Sequence, residues 1–173
     1  MKMKKEEEKE LFPPHIETYQ LLGEYVYVSD LHQGTERSEN IRLAKFLAEK
    51  TNEPVFVLPI IEQLQKNAEL RKSYFPNGVK DKKNPDFYFR GRFDGKSMLS
   101  IEQTDNDDTL KGKIHNRLKE AFKQADDILL ETPINLNKKL IISAIKGKLN
   151  SSKHIHIVYV KHGEDFFFLK TKN

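Results

Sequence analysis

Apolar residues along this chain recur in two rhythms, one of period two and one of the helical period. Tyr25-Val26-Tyr27-Val28 and Val55-Phe56-Val57-Leu58 are short β-rich runs. Between them Ile41, Ala44, Leu47 and Ala48 repeat at helical spacing behind Ser38, a residue type suited to an N-cap. Strand, helix and strand in this order predict a parallel pair joined by a right-handed crossover. Pro54 and Pro59 bound the second run. Upstream, residues 1–20 read as a charged lead, helical at most, broken at Pro13 and Pro14. Downstream, a polar helix is predicted over 60–72, and Pro76, Asn77 and Gly78 mark a loop over 75–83.

The second half carries the strongest helical stripe: Leu110, Ile114, Leu118, Ala121, Phe122 and Ala125. The acidic turn at 105–108 suits its start, because carboxylates favour the positive end of a helix. Ile128-Leu129-Leu130 predicts a buried strand, and Leu140, Ile141, Ala144 and Ile145 a helix over 136–148. Two closing strands, 155–160 and 166–169, turn at His162-Gly163. The sum is an α/β (α+β) domain over 21–173, with a mixed sheet of about six strands flanked by helices.

Residues 84–103, NPDFYFRGRFDGKSMLSIEQ, predict a hairpin with chemistry on it. Phe87 and Phe89 share one face of the first strand, and Asp86, Tyr88 and Arg90 the other. On the second strand Phe93, Leu99 and Ile101 share a face, leaving Asp94, Lys96, Met98, Ser100 and Glu102 opposite. Aligning the apolar sets, with Arg90, Gly91 and Arg92 as the loop, puts Asp86, Asp94 and Lys96 together. Two acids and a lysine suit phosphate chemistry. Carboxylates hold a proton or a divalent cation, and an ammonium neutralises a phosphate oxygen. An ordinary half-buried hairpin with a solvated face shows the same pattern.

Composition narrows this modestly. The chain has 173 residues, 37% hydrophobic and 32% charged, enough for a core without staples. Cysteine is absent, which excludes disulfides, thiolate metal sites and a cysteine nucleophile, and fits a reducing, cytoplasmic setting. MKMKKEEEKE has no apolar core, so no secretory signal is expected there, and no run is long enough to span a bilayer. A formal charge of +4 permits a nucleic-acid partner without requiring one.

Arg117 and Gln124 flank the buried stripe of the 110–125 helix, with Lys113 slightly further out. They suit contacts to a phosphate or base, or they are boundary residues whose stems cover the core edge. His115 lies on the other flank and is a candidate proton carrier, since its ordinary pKa lies near neutrality. His154 and His156 alternate along the predicted strand and read as solvent-facing, while His15 and His32 fall in loops. There is neither a nucleophile-elbow serine nor a phosphate-binding glycine loop. Phe166-Phe167-Phe168 reads as a buried strand, not as a base-stacking platform.

Taken in order, YVYVSDLH, NIRLAKFLAEK, VFVLP, FPNGVKDKKNPDFYFRGRFDGK, IHNRLKEAFKQADDILLE and IHIVYVKHGEDFFFLK resemble the C-terminal nuclease domains of contact-dependent growth-inhibition toxins. Kindred domains of phage Mu-type head-morphogenesis proteins and mobile elements look similar. The resemblance spans roughly residues 24–170. It implies a barnase-like fold, cleavage of RNA or tRNA inside a target cell, and a cognate immunity protein as partner. Residue by residue it points to Asp86, Lys96 and Gln124. The chain departs from that pattern in having Arg90 before Gly91 and Asp94-Gly95-Lys96 where such domains often carry Glu-x-Lys.

Three readings follow. The first is a toxin-type RNase without a cofactor, using Asp86, Asp94, Lys96, His115 and Arg117, with Lys113 and Gln124 binding RNA. The second is a DNase using Mg²⁺ held by Asp86 and Asp94. The third, favoured by the departures at Arg90 and Gly95, is a binding module that keeps the fold and lacks the chemistry.

Overall fold

A computed structural model describes residues 12–62, 64–75, 84–98 and 105–172. The chain divides into two compact units, Met1–Phe93 and Asp94–Asn173. The class is α+β, with four helices and eight strands among the described residues where about six strands are expected. No helix among the described residues is long and apolar enough to cross a membrane.

The first unit contains β1 (Tyr19–Leu21), β2 (Val26–Ser29), α1 (Arg37–Thr51), β3 (Val55–Val57), α2 (Ala68–Tyr74) and β4 (Phe87–Phe89). The predicted parallel pair forms, Val26 opposite Val55 and Val28 opposite Val57. Strands β1 and β4 add antiparallel on either side, making a mixed sheet. Strand β1 is unexpected and straddles the end of the stretch read as a charged lead. Its residues are exposed or half-buried, so no alternation advertises it. Helix α1 begins at Arg37 with Glu36, not Ser38, in the cap position, and Glu36 makes no side-chain cap. The polar helix expected over 60–72 is reduced to a short 3₁₀ turn, Gln65–Asn67, followed by α2.

Phe56 centres one side of this sheet. It stacks on Tyr27 at 4.8 Å and meets Tyr19 edge-on at 5.6 Å, and Tyr74, Phe75 and Tyr88 pack with it. Burial pushes the Tyr19 phenol upward, with Tyr74 adding to the effect, so it stays protonated at any working pH. His32, a loop residue in the sequence reading, is buried. Its Nδ1 donates to the Leu58 carbonyl and its Nε2 accepts from Asn40 Nδ2 at 3.2 Å, which sets the neutral tautomer.

The second unit contains β5 (Arg92–Met98, entering from the first), α3 (Asp107–Ala121), β6 (Asp127–Thr132), α4 (Lys138–Asn150), β7 (Ile157–His162) and β8 (Asp165–Lys170). Asn106 caps α3 by accepting from the Thr109 N–H, with Asp107 and Asp108 in the first turn as the acidic run predicts. Strands β5, β6 and β7 are parallel neighbours, and β8 returns antiparallel to β7. The predicted stripe holds. Ile114, Leu118 and Phe122 of the α3 segment join Ile141 and Ile145 of α4 over Ile128, Leu130, Val158 and Val160. Both helices therefore cover one face of this sheet.

Gly163 turns β7 into β8 with φ 59°, and an added Cβ would lie 2.7 Å from Cδ1 of Ile134. Replacing Gly163 with Ala is expected to cost about 1–3 kcal/mol through the left-handed backbone and this contact together. Ile134→Ala alone should be nearly silent, because Ile134 is 74% exposed. The double variant should recover only the contact part. Urea midpoints of the three variants check this, and an unshifted midpoint for Gly163→Ala contradicts it.

Candidate active site

The turn after β4 is short. Arg90 and Gly91 both take left-handed φ, 52° and 76°, and Arg92 is already in β5. This is a two-residue turn of the kind hairpins favour, not the three-residue loop that would align the aromatic sets. Asp86 belongs to the first unit, and Asp94 and Lys96 belong to the second. Arg90 also has a structural occupation. Its Nε donates to Glu53 at 2.5 Å, and its guanidinium lies 4.9 Å from the Phe89 ring centre. Asp86 precedes β4 in the first unit, where its carbonyl accepts the Leu58 N–H at 3.0 Å. Leu99, Ser100, Ile101 and Glu102 lie outside the described residues.

In the second unit, Asp94 and Lys96 occupy alternate positions of β5 and so share a face. Their Cα partners on β6 are Asp127 and Leu129. Ile128 and Leu130 point into the helix-covered core, so Asp94, Lys96 and Asp127 stand on the opposite face. Asp94 and Asp127 are each 1% exposed, one inter-strand spacing apart. The Ile157 N–H donates to Asp127 Oδ1 at 3.2 Å. Two buried carboxylates thus stand side by side on neighbouring strands. Among the described residues no group of three or more His, Asp or Glu converges as a metal site does. In the metal-dependent reading Asp94 and Asp127 would be the ligands, and Glu131 lies further along the same face of β6.

Asp127 was missed in the sequence. The only signal was a second acid, Asp126-Asp127, at the head of the apolar run 128–130. It stands opposite Asp94 in the β5–β6 register. Its position is held by His156, which is buried. The His156 ring stacks on Phe122 at 3.9 Å and its Nδ1 donates to the Asp126 carbonyl at 2.8 Å. The expectation that His156 faces solvent is therefore overturned, and that for His154 stands.

His115 is the clearest correction. Its Nε2 donates to the Ala144 carbonyl at 2.8 Å, and an added Cβ on Gly147 would lie 3.3 Å from the same atom. The imidazole thus fills the seam between α3 and α4, on the opposite side of the sheet from Lys96. Small residues at 144 and 147 make room for the ring. Lys113 pairs with Asp105 at 2.6 Å. Arg117 is exposed on α3, in the helix layer and not on the Asp94 face. Gln124 is exposed in the turn three residues before Asp127, its N–H donating to the Ala121 carbonyl. It alone of the helix candidates lies at the same end of the sheet as the carboxylates.

No protein-family model, curated protein or solved structure matches the chain.

Proposed function

We propose that this protein is a nucleic-acid phosphodiesterase, an RNase of toxin type, working through Asp94, Asp127 and Lys96. The observation that carries the reading is the buried Asp94–Asp127 pair, in direct register, with Lys96 one alternation along the same face. In this reading the two carboxylates share one proton, which supplies both a base and an acid. The ionised carboxylate takes the proton of a ribose 2′-hydroxyl. The 2′ oxygen attacks phosphorus, the bond to the 5′ oxygen breaks, and the protonated carboxylate gives its proton to that leaving oxygen. The Lys96 ammonium stabilises charge on the phosphoryl oxygens in between. This removes His115 from the proposed mechanism. The preference for tRNA, and a cognate immunity protein as partner, rest on the family resemblance.

The test is cleavage of total tRNA and of duplex DNA in EDTA and in Mg²⁺. Cleavage of tRNA in EDTA, falling roughly a hundredfold in Lys96→Ala with little change in melting temperature, is expected. DNA cut only with Mg²⁺ would transfer the same carboxylates to the metal-dependent reading. No cleavage of either substrate under either condition rejects the enzyme and leaves the binding module.

A further inference from the structure

We infer that one corner of the second unit, built from Phe168, Lys170, Lys172, Lys153 and His154, binds single-stranded RNA. The idea deepens the phosphodiesterase reading, because it names where that substrate lies. Alternation on β8 splits the Phe166-Phe167-Phe168 run. Phe167 packs into the helix-covered core, and Phe166 and Phe168 stand on the other face beside Tyr159, each ring centre 6.1 Å from it. Tyr159 is buried, but Phe168 is 50% exposed. A half-exposed ring braced by a buried neighbour offers a π surface to a base, which stacks with little regard to sequence. The sequence expectation of a buried strand is corrected at Phe168.

The cations are gathered by backbone stitching. Thr171 N–H donates to the His156 carbonyl at 3.0 Å, and His156 N–H donates to Thr171 Oγ1 at 3.0 Å. Thr171 Oγ1 also donates to the His154 carbonyl at 3.3 Å. The segment with Lys153 and His154 is thereby tied against the end of β8 with Lys170 and Lys172. All four are exposed, and neither 151–157 nor 166–172 contains an acid. That composition complements a phosphate backbone.

The corner shares a register row with the buried carboxylates. The register runs Lys170, Ile157, Asp127, Asp94 across the four strands. Three steps of about 4.8 Å put Lys170 roughly 14 Å from Asp94, within reach of a short oligonucleotide. Phosphates on the lysines and a base on Phe168 would bring the neighbouring ribose toward the Asp pair.

The experiment is fluorescence anisotropy with a labelled, non-cleavable 2′-O-methyl oligonucleotide across a salt series, alongside cleavage of unmodified RNA. Phe168→Ala should weaken binding about tenfold or more. Phe168→Leu, which keeps apolar bulk and the fold, should also weaken it. Joint replacement of Lys170 and Lys172 by Gln should make the log–log salt slope shallower by about 1.4. If those losses appear while wild type cleaves nothing, the RNA site stands and the catalytic reading falls. If wild type cleaves RNA and every variant keeps its affinity, slope and KM, the site is overturned and the enzyme remains. Failure of wild type to bind the oligonucleotide also overturns the site.

Discussion

Asp127→Asn is expected to lower RNA cleavage by about two to four orders of magnitude while leaving RNA affinity nearly unchanged. The asparagine is isosteric, and its Oδ1 still accepts from the Ile157 N–H that Asp127 accepts from at 3.2 Å. What disappears is the capacity to share a proton with Asp94, its partner across the β5–β6 register. Asp94→Asn should produce a loss of similar size. The double variant should be little worse than either single one, because groups acting as one unit are non-additive. The measurement is kcat and KM for the three variants, with melting curves to separate chemistry from folding. An Asp127→Asn protein that melts like wild type and cleaves at its rate would remove the pair from the mechanism.

The largest expected stability effect comes from the α3 stripe. Ile114→Ala should destabilise the protein by about 2–5 kcal/mol. Ile114 is fully buried, in the cluster that joins α3, α4 and the β6–β7 core. No exposed methylene can swing in to fill the gap, since the cluster is close-packed aliphatic side chains. Lys119→Ala, one turn along on the exposed side of the same helix, should shift stability by less than about 0.5 kcal/mol. Urea titration with matched slopes checks the pair. Similar midpoints for the two variants would mean that the stripe is not what holds this unit together.

Much of the fold was legible because its signals are local. The 3.6-residue stripe from Leu110 to Ala125, the apolar run 128–130 and the helix carrying Ile141 and Ile145 are each short-range patterns, and each is buried as read. The parallel pairing of β2 and β3 followed from the helix between them, since a parallel connection needs a crossover. Strand β1 escaped notice because an exposed edge strand carries no hydrophobic alternation.

The candidate site was less legible. Asp94 and Lys96 were found through their spacing of two, which forces a common face in any strand. Their company was not. The loop expected over 90–92 is a two-residue turn instead, because Arg90 and Gly91 both take left-handed backbone. His115 has the residue type of a proton carrier, yet the Ala144 carbonyl and the space beside Gly147 claim it for helix packing.

By itself the sequence determined most of the helices and strands, β1 and the 60–72 segment excepted, which of their sides are apolar, and that Asp94 and Lys96 point the same way. Only the tertiary structure decided that Asp127 stands opposite Asp94, that His115 is turned away, and that Phe168 is left half in solvent. The physical reason is range. Periodicity along a chain is settled by residues three or four apart, whereas strand partnership joins Asp94 to Asp127 and His156 to Thr171 through contacts that no local pattern specifies.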